Sequence, residues 1–189
     1  MSNPIATETL GNSLIIRFTC PEIRNPLSNE VLESLELILA DALNASNVKK
    51  IVFTGTGNVF SSGADLREIS ELTFENAREF SLKGQRLMNK IARAPMPTIA
   101  AINGYCFGGG LDLALACKQR IVSPTATFAH PGTSLGIITG WSGTQRLPRL
   151  VGQANALEMF FTAAPIGAND ALSIGLIDSI AADPLFAAL

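Results

Sequence analysis

Thr98-Ile-Ala-Ala-Ile-Asn-Gly-Tyr-Cys-Phe-Gly-Gly-Gly-Leu-Asp-Leu-Ala-Leu-Ala-Cys117 is the stretch that decides the fold class. Its first five residues are a continuous run without charge behind Pro95 and Pro97, the pattern of a strand covered on both faces. Asn103-Gly104 then turns the chain, and the Gly108–Gly110 run opens onto Leu111–Cys117, which reads as a buried helix. The span from Pro97 to Cys117 is long enough to cross a membrane, at about 20 residues. Asn103, four glycines and Asp112 interrupt it, so no membrane crossing is expected.

The same pattern recurs upstream. Lys50-Ile-Val-Phe-Thr54 is a second buried strand, ending at Gly55-Thr-Gly57. Ahead of it, Val31, Leu32, Leu35, Ile38, Leu39 and Ala42 keep helical spacing, with Ser28 placed to cap the helix. Residues 5–19 read as two short strands about Gly11-Asn12, Leu14–Phe18 being the stronger, and Pro21 to Pro26 as a loop. Between the two buried strands, a polar segment from Arg67 leads into a helix of about 18 residues marked by Phe80, Leu87, Met88 and Ile91. Gln119–Ser123 is the next strand. The remainder is helical pieces separated by Gly and Pro, closing on a short strand near Leu176–Ile180. Strands alternating with helices define an α/β domain with covered sheets, and without repeats or linkers residues 1–189 form one domain.

Composition excludes several functions. At 47% hydrophobic and 16% charged residues, the chain has ample material for a core. A net charge of −2 supplies no positive field for a nucleic-acid backbone. Cys20, Cys106 and Cys117 form no Cys-x-x-Cys pair, and with a single histidine they make neither a disulfide framework nor a zinc site. A reduced compartment follows. Met-Ser-Asn-Pro-Ile-Ala-Thr-Glu at the N-terminus has neither a basic nor an apolar signal region, so a cytoplasmic location is expected.

Chemistry concentrates at two glycine-rich strand ends, Phe60-Ser-Ser-Gly-Ala-Asp65 and Gly104-Tyr-Cys-Phe-Gly-Gly-Gly110. Such turns leave backbone N–H groups uncovered, and the second opens a helix whose N-terminus carries positive potential. Two amides converging from separate loops would stabilise an oxyanion; equally, both loops read as plain tight turns. No dinucleotide glycine fingerprint and no Gly-Lys-Ser/Thr phosphate loop is present, and Gly140-Trp-Ser-Gly143 misses a nucleophile elbow at Thr144. Asp112, the only charge in an apolar helix, is a candidate proton carrier or a first-turn aspartate favoured by the dipole. His130, the only histidine, reads as a base or as a structural residue, Asp65 as a local cap, and Trp141 as a pocket wall or core.

Taken together, Ile51–Leu66, Ala101–Ala114 and Gly143-Thr-Gln-Arg-Leu-Pro-Arg-Leu-Val-Gly152 closely resemble the signatures of the crotonase (enoyl-CoA hydratase/isomerase) superfamily, and Arg24-Asn-Pro-Leu-Ser28 fits its first loop. The matches run in order from about residue 5 to 180. The resemblance implies a spiral of ββα turns binding an acyl-CoA thioester, with coenzyme A as part of the substrate and no metal or redox cofactor. It implies an oxyanion hole from the amides of Ser62 and Gly109, and coenzyme A contacts from Arg24 and from Ser62, Gly63, Ala64 and Asp65. A homotrimer or dimer of trimers is the family's assembly. Members continue past the strand near Ile180 into further helices, most of which this chain, ending at Leu189, is expected to lack.

Two positions depart from the family pattern. Hydratases of the family resemble one another in holding water between two glutamates. The first falls at Asp112, one methylene shorter, and the second at Gly132, which has no side chain. His130, Glu68 and Glu71 are the groups placed to fill the gap. The expected activity is therefore enolate chemistry with isomerase-like proton shuttling through Asp112 ahead of hydration. A thioester hydrolase or decarboxylase using His130 is one alternative, and an acyl-CoA-binding relic without turnover is another.

Overall fold

The computed structural model describes residues 3–189. The chain opens with an antiparallel hairpin, β1 (Ile5–Leu10) and β2 (Ser13–Phe18), turned at Gly11-Asn12 as the sequence predicts. Three winds of one motif follow. In each, a strand enters a large sheet, a short strand enters a smaller layer, and a helix returns the chain.

The first wind places β3 (Pro26–Leu27) and α1 (Asn29–Asn44) after β2. The Ser28 hydroxyl accepts a hydrogen bond from the Val31 amide, and Val31, Leu32, Leu35, Leu39 and Ala42 form the buried face of α1. The second wind runs through β4 (Lys50–Thr54), β5 (Val59–Ser61), β6 (Gly63–Ala64), the short α2 (Leu66–Ser70) and α3 (Phe74–Ala92). Thr73 and Asn76 close a reciprocal capping box at the start of α3, and Gly84, Leu87, Met88 and Ile91 are its buried face. The third wind is β7 (Thr98–Ile102), β8 (Tyr105–Phe107) and α4 (Gly109–Ala116).

Beyond it lie β9 (Gln119–Val122), β10 (Thr127–Ala129), a 3-10 turn over Pro131–Leu135, α5 (Gly143–Val151) and α6 (Gln153–Thr162). β11 (Ile166–Gly167), α7 (Ala168–Ser173), β12 (Ser179–Ile180) and α8 (Pro184–Ala188) complete the chain. The large sheet has the order β1-β2-β4-β7-β9-β12, parallel from β2 onward. The smaller sheets are β11-β10-β8-β5 and the pair β3-β6. All eight residues of α4 are buried, so its N-terminus is carried at the centre of the molecule.

Three details differ from the sequence reading. Pro21–Ile23 is a 3-10 turn within the expected loop. The strands β5, β8 and β10 form a second layer that the reading did not separate. The chain closes on α8, not on a strand: Ala188 packs on Val52, Ile99, Ala101 and Ile121, covering the outer face of the large sheet.

Candidate active site

The two glycine-rich strand ends meet. Gly63, on β6, has φ +95°, and a Cβ there would lie 2.5 Å from the Gly109 amide nitrogen and 2.8 Å from the Phe107 carbonyl oxygen. Only glycine permits both the dihedral and the approach. On the other side, a Cβ at Gly109 would fall 3.1 Å from the Ala64 amide nitrogen and 2.6 Å from the Trp141 ring. Gly109 is the first residue of α4, so its N–H has no partner within the helix.

This geometry corrects one expected donor. The Ser62 amide donates to the Arg24 carbonyl at 2.8 Å, a bond between two loops that occupies it. The amide of the first loop that stands beside Gly109 belongs to Ala64. The motif located the loop, but the register of its hydrogen bonds depends on Arg24, which the motif does not contain.

An apolar cavity of about 210 Å³ opens in front of these amides. Leu66, Ile69, Phe80, Ile138, Trp141 and Phe160 line it, together with Ala64 and Gly109. Trp141 is 2% exposed and lies against Phe80, ring centroids 5.5 Å apart. Asp112 and His130 are the only ionisable side chains lining the cavity among the described residues.

Asp112 sits in the first turn of α4, its amide bonded to the Gly108 carbonyl, and is fully buried. Its Oδ2 accepts from the Thr139 hydroxyl, while Oδ1 has no hydrogen-bond partner. Burial pushes the carboxyl up to about 7, against the lowering pull of that hydroxyl and of the Arg146 cation. A Cβ at Gly143 would come within 2.1 Å of Oδ1, so the start of α5 can approach the carboxyl only as glycine. His130 follows β10, is 3% exposed, and packs against Phe160 with ring centroids 5.0 Å apart and the rings tilted by 38°. Neither ring nitrogen has a partner, and burial pulls the imidazole down to about 4. Nε2 stands 3.7 Å from Asp112 Oδ1, beyond direct hydrogen bonding.

Other expected residues lie elsewhere. Gly132 lines the cavity, but a Cβ there would lie 2.8 Å from the Ile137 carbonyl oxygen. The Asp65 carboxylate caps α2 and pairs with Arg67 at 2.7 Å, and it faces a separate surface groove. Its side chain thus serves as the local cap that the sequence suggests. Glu68 and Glu71 border that same groove, and both Glu68 oxygens accept from the Asn29 amide at 3.0 and 2.9 Å, so neither fills the gap at Gly132. Arg24 is exposed, with φ 65° and its guanidinium 6.0 Å from the Tyr105 ring centroid. Thr139, which holds Asp112, and Ala64, which faces Gly109, are the functional positions the sequence reading assigned no such part.

The class is that of a wound α/β domain in which the Ala64 and Gly109 amides lie side by side and a buried carboxyl lines an apolar cavity. The enoyl-CoA hydratase/isomerase family model matches residues 9–187. The short-chain-enoyl-CoA hydratase of Clostridium acetobutylicum is 35% identical over 179 residues, covering 94% of this chain and 69% of that protein. The crotonyl-CoA hydratase of Syntrophomonas wolfei is 39% identical over 165 residues, covering 85% and 62%. The chain thus spans about two thirds of the length of these relatives. Among solved structures, Pseudomonas aeruginosa DspI superposes with a TM-score of 0.94 at 31% identity, covering 99% of this chain and 78% of that one. An enoyl-CoA hydratase from Bacillus anthracis gives a TM-score of 0.90 at 35% identity, covering 95% and 70%. The chain belongs to the enoyl-CoA hydratase/isomerase family. No helix among the described residues is long and apolar enough to cross a membrane.

Proposed function

We propose that this chain acts on an acyl-CoA thioester through an enolate, with Asp112 carrying the proton. The observation that supports this most directly is the Asp112 carboxyl. It is fully buried, aimed at an apolar cavity with one unpartnered oxygen, and held near the pH at which it both takes and gives a proton. The Ala64 and Gly109 amides are placed to receive the thioester oxygen as negative charge develops, each such donor being worth roughly 3–4 kcal/mol. Coenzyme A is part of the substrate. Arg24, exposed beside Tyr105, is the candidate contact for its phosphates.

Isomerase-like transfer leads because it needs nothing beyond this set. Asp112 removes a proton from the carbon γ to the thioester carbonyl, the electrons reach the oxygen held by the two amides, and the proton returns at the α carbon. Both reactant and product are neutral apart from the phosphates, which suits apolar walls.

Mass spectrometry of but-2-enoyl-CoA incubated in heavy water tests the reading. Carbon-bound deuterium in the recovered thioester is the expected result, and it disappears with Asp112→Asn while thioester binding by calorimetry persists. Exchange undiminished in Asp112→Asn refutes the assignment of the proton carrier. Binding without exchange in the unaltered protein points to the non-catalytic relic, and free coenzyme A as the product points to hydrolysis.

A further inference from the structure

Asn25 is 2% exposed and keeps a left-handed φ of 48°, a conformation that asparagine tolerates better than most residues. Its side chain ties together separate backbone segments. Oδ1 accepts from the Cys20 amide at 2.8 Å, and Nδ2 donates to the Val59 and Phe60 carbonyls at 2.9 and 3.2 Å. Those carbonyls lie where the pairing of β5 with β8 shifts register, between Val59 and Ser61. The Asn25 carbonyl accepts from the Ser61 hydroxyl at 2.8 Å, and the same hydroxyl oxygen accepts from the Gly63 amide at 3.1 Å. Ser61 is fully buried, and the start of α4 is pressed against it: a Cβ at Gly110 would fall 2.6 Å from the Ser61 carbonyl oxygen. Neither Asn25 nor Ser61 lines the cavity.

We propose that Asn25, acting through Ser61, is a positioning residue that fixes the Ala64 and Gly109 amides at the separation and angle a thioester oxygen requires. This inference rests on the enolate reading above. The Ser62 amide is tied to the Arg24 carbonyl and the Gly63 amide to Ser61 Oγ, so the two peptide units ahead of Ala64 cannot rotate. The direction of the Ala64 N–H is thereby set upstream, at Arg24-Asn25. Ser61 carries the same constraint to the turn of α4 that holds Gly109. Donors aimed in advance need no reorganisation as charge develops, whereas an error of about 1 Å can cost roughly a hundredfold in rate.

The deciding experiment reads the carbonyl itself. Butanoyl-CoA labelled with carbon-13 at the thioester carbonyl is bound to the protein, and its stretch is followed by isotope-edited infrared difference spectroscopy. Calorimetric affinity and deuterium exchange of but-2-enoyl-CoA are measured in parallel. The unaltered protein is expected to lower the stretching frequency, because hydrogen bonds to the oxygen weaken the double bond. Asn25→Gly, which keeps the left-handed backbone, and Ser61→Ala, the milder change, are each expected to lose most of that shift. Exchange at saturating thioester is expected to fall roughly 10- to 100-fold, with affinity and half-saturating concentration within a few-fold. Ser61→Ala alone decides where Asn25→Gly does not fold. Asp183→Ala removes the cap of α8, on the outer face of the large sheet, and is expected to lose stability yet keep the shift. A full shift in both relay variants, or a loss of affinity that accounts for the lost rate, overturns the positioning role and leaves the enolate reading standing. An equal loss of shift in Asp183→Ala assigns the effect to general destabilisation and overturns it too. If the unaltered protein shows neither shift nor exchange, the enolate reading falls and this inference with it.

Discussion

Asp65 and Asp112 make an instructive pair. Each is a buried aspartate that follows a glycine-rich strand end and sits at the start of a helix. Asp65 is 7% exposed and fully satisfied: its oxygens accept from the Arg67 amide, Nε and Nη2 at 2.9, 3.1 and 2.7 Å. That Arg67 hydrogen bond, above all, lowers its carboxyl below the ordinary range. Asp112 is fully buried, keeps one hydroxyl partner, and is driven upward to about 7 by desolvation. The difference lies in what surrounds each carboxyl. A carboxylate bonded directly to a guanidinium and an amide stays ionised, whereas one whose desolvation outweighs its polar neighbours is poised to take up a proton.

The comparison is sharpest under amide substitution. Asp112→Asn is expected to cut deuterium exchange by roughly 10²- to 10⁴-fold, while Asp65→Asn leaves it within a few-fold. Comparable losses from both would erase the distinction. Next in size is Gly143→Ala, whose Cβ displaces Asp112 Oδ1 or the Thr139 methyl, itself 2.7 Å away. Overpacking there is expected to lower unfolding stability by about 1–3 kcal/mol in urea titrations.

Stability against pH probes the pair of buried groups directly. Asp112 has its folded pKa raised from 3.8 to about 7, so its contribution is complete below 3.8 and is lost as pH rises to 7. His130 has its folded pKa lowered from 6.5 to about 4, so its contribution is complete above 6.5 and is lost as pH falls to 4. Between pH 4 and 6.5 the two slopes oppose, and these groups together leave stability nearly flat. His130→Phe is expected to uncover a fall of about 1.4 kcal/mol per pH unit with rising pH, and Asp112→Asn the reverse slope. Parallel curves for the two variants would mean that one of the groups is not buried as described.

Smaller effects close the series. Asp65→Ala loses the cap of α2 and is expected to cost about 1 kcal/mol in denaturation, with exchange unchanged. Thr139→Val removes a hydrogen bond that favours ionised Asp112, so the basic-side rise of the exchange rate is expected to move to higher pH. A profile that stays in place would show that Thr139 does not tune the carboxyl.

Much of this organisation can be read along the chain. Lys50–Thr54 and Thr98–Ile102 are strands with the bounds the sequence suggests, because continuous runs between prolines and glycines leave little choice. Ser28 caps α1 for an equally local reason. The three-residue strands β5, β8 and β10 are too short to show a period, and they exist because neighbouring winds of the chain pair with them. Asp112 and His130 are legible as chemistry, but their 3.7 Å separation belongs to the fold. Choosing Ala64 over Ser62 required knowing where the Arg24 carbonyl lies, and dismissing Glu68 required Asn29, 39 residues away along the chain.

Trp141 gives the molecule a built-in optical reporter. It is the only tryptophan in the sequence, with Tyr105 the only tyrosine, and its indole forms a wall of the cavity against the glycine that opens α4. An acyl group seated there changes the polarity around that one fluorophore, so the intrinsic emission of the unlabelled protein reads occupancy of the site. Titration with a saturated acyl-CoA then separates binding from turnover in a cuvette, without a probe that would compete for the same apolar volume.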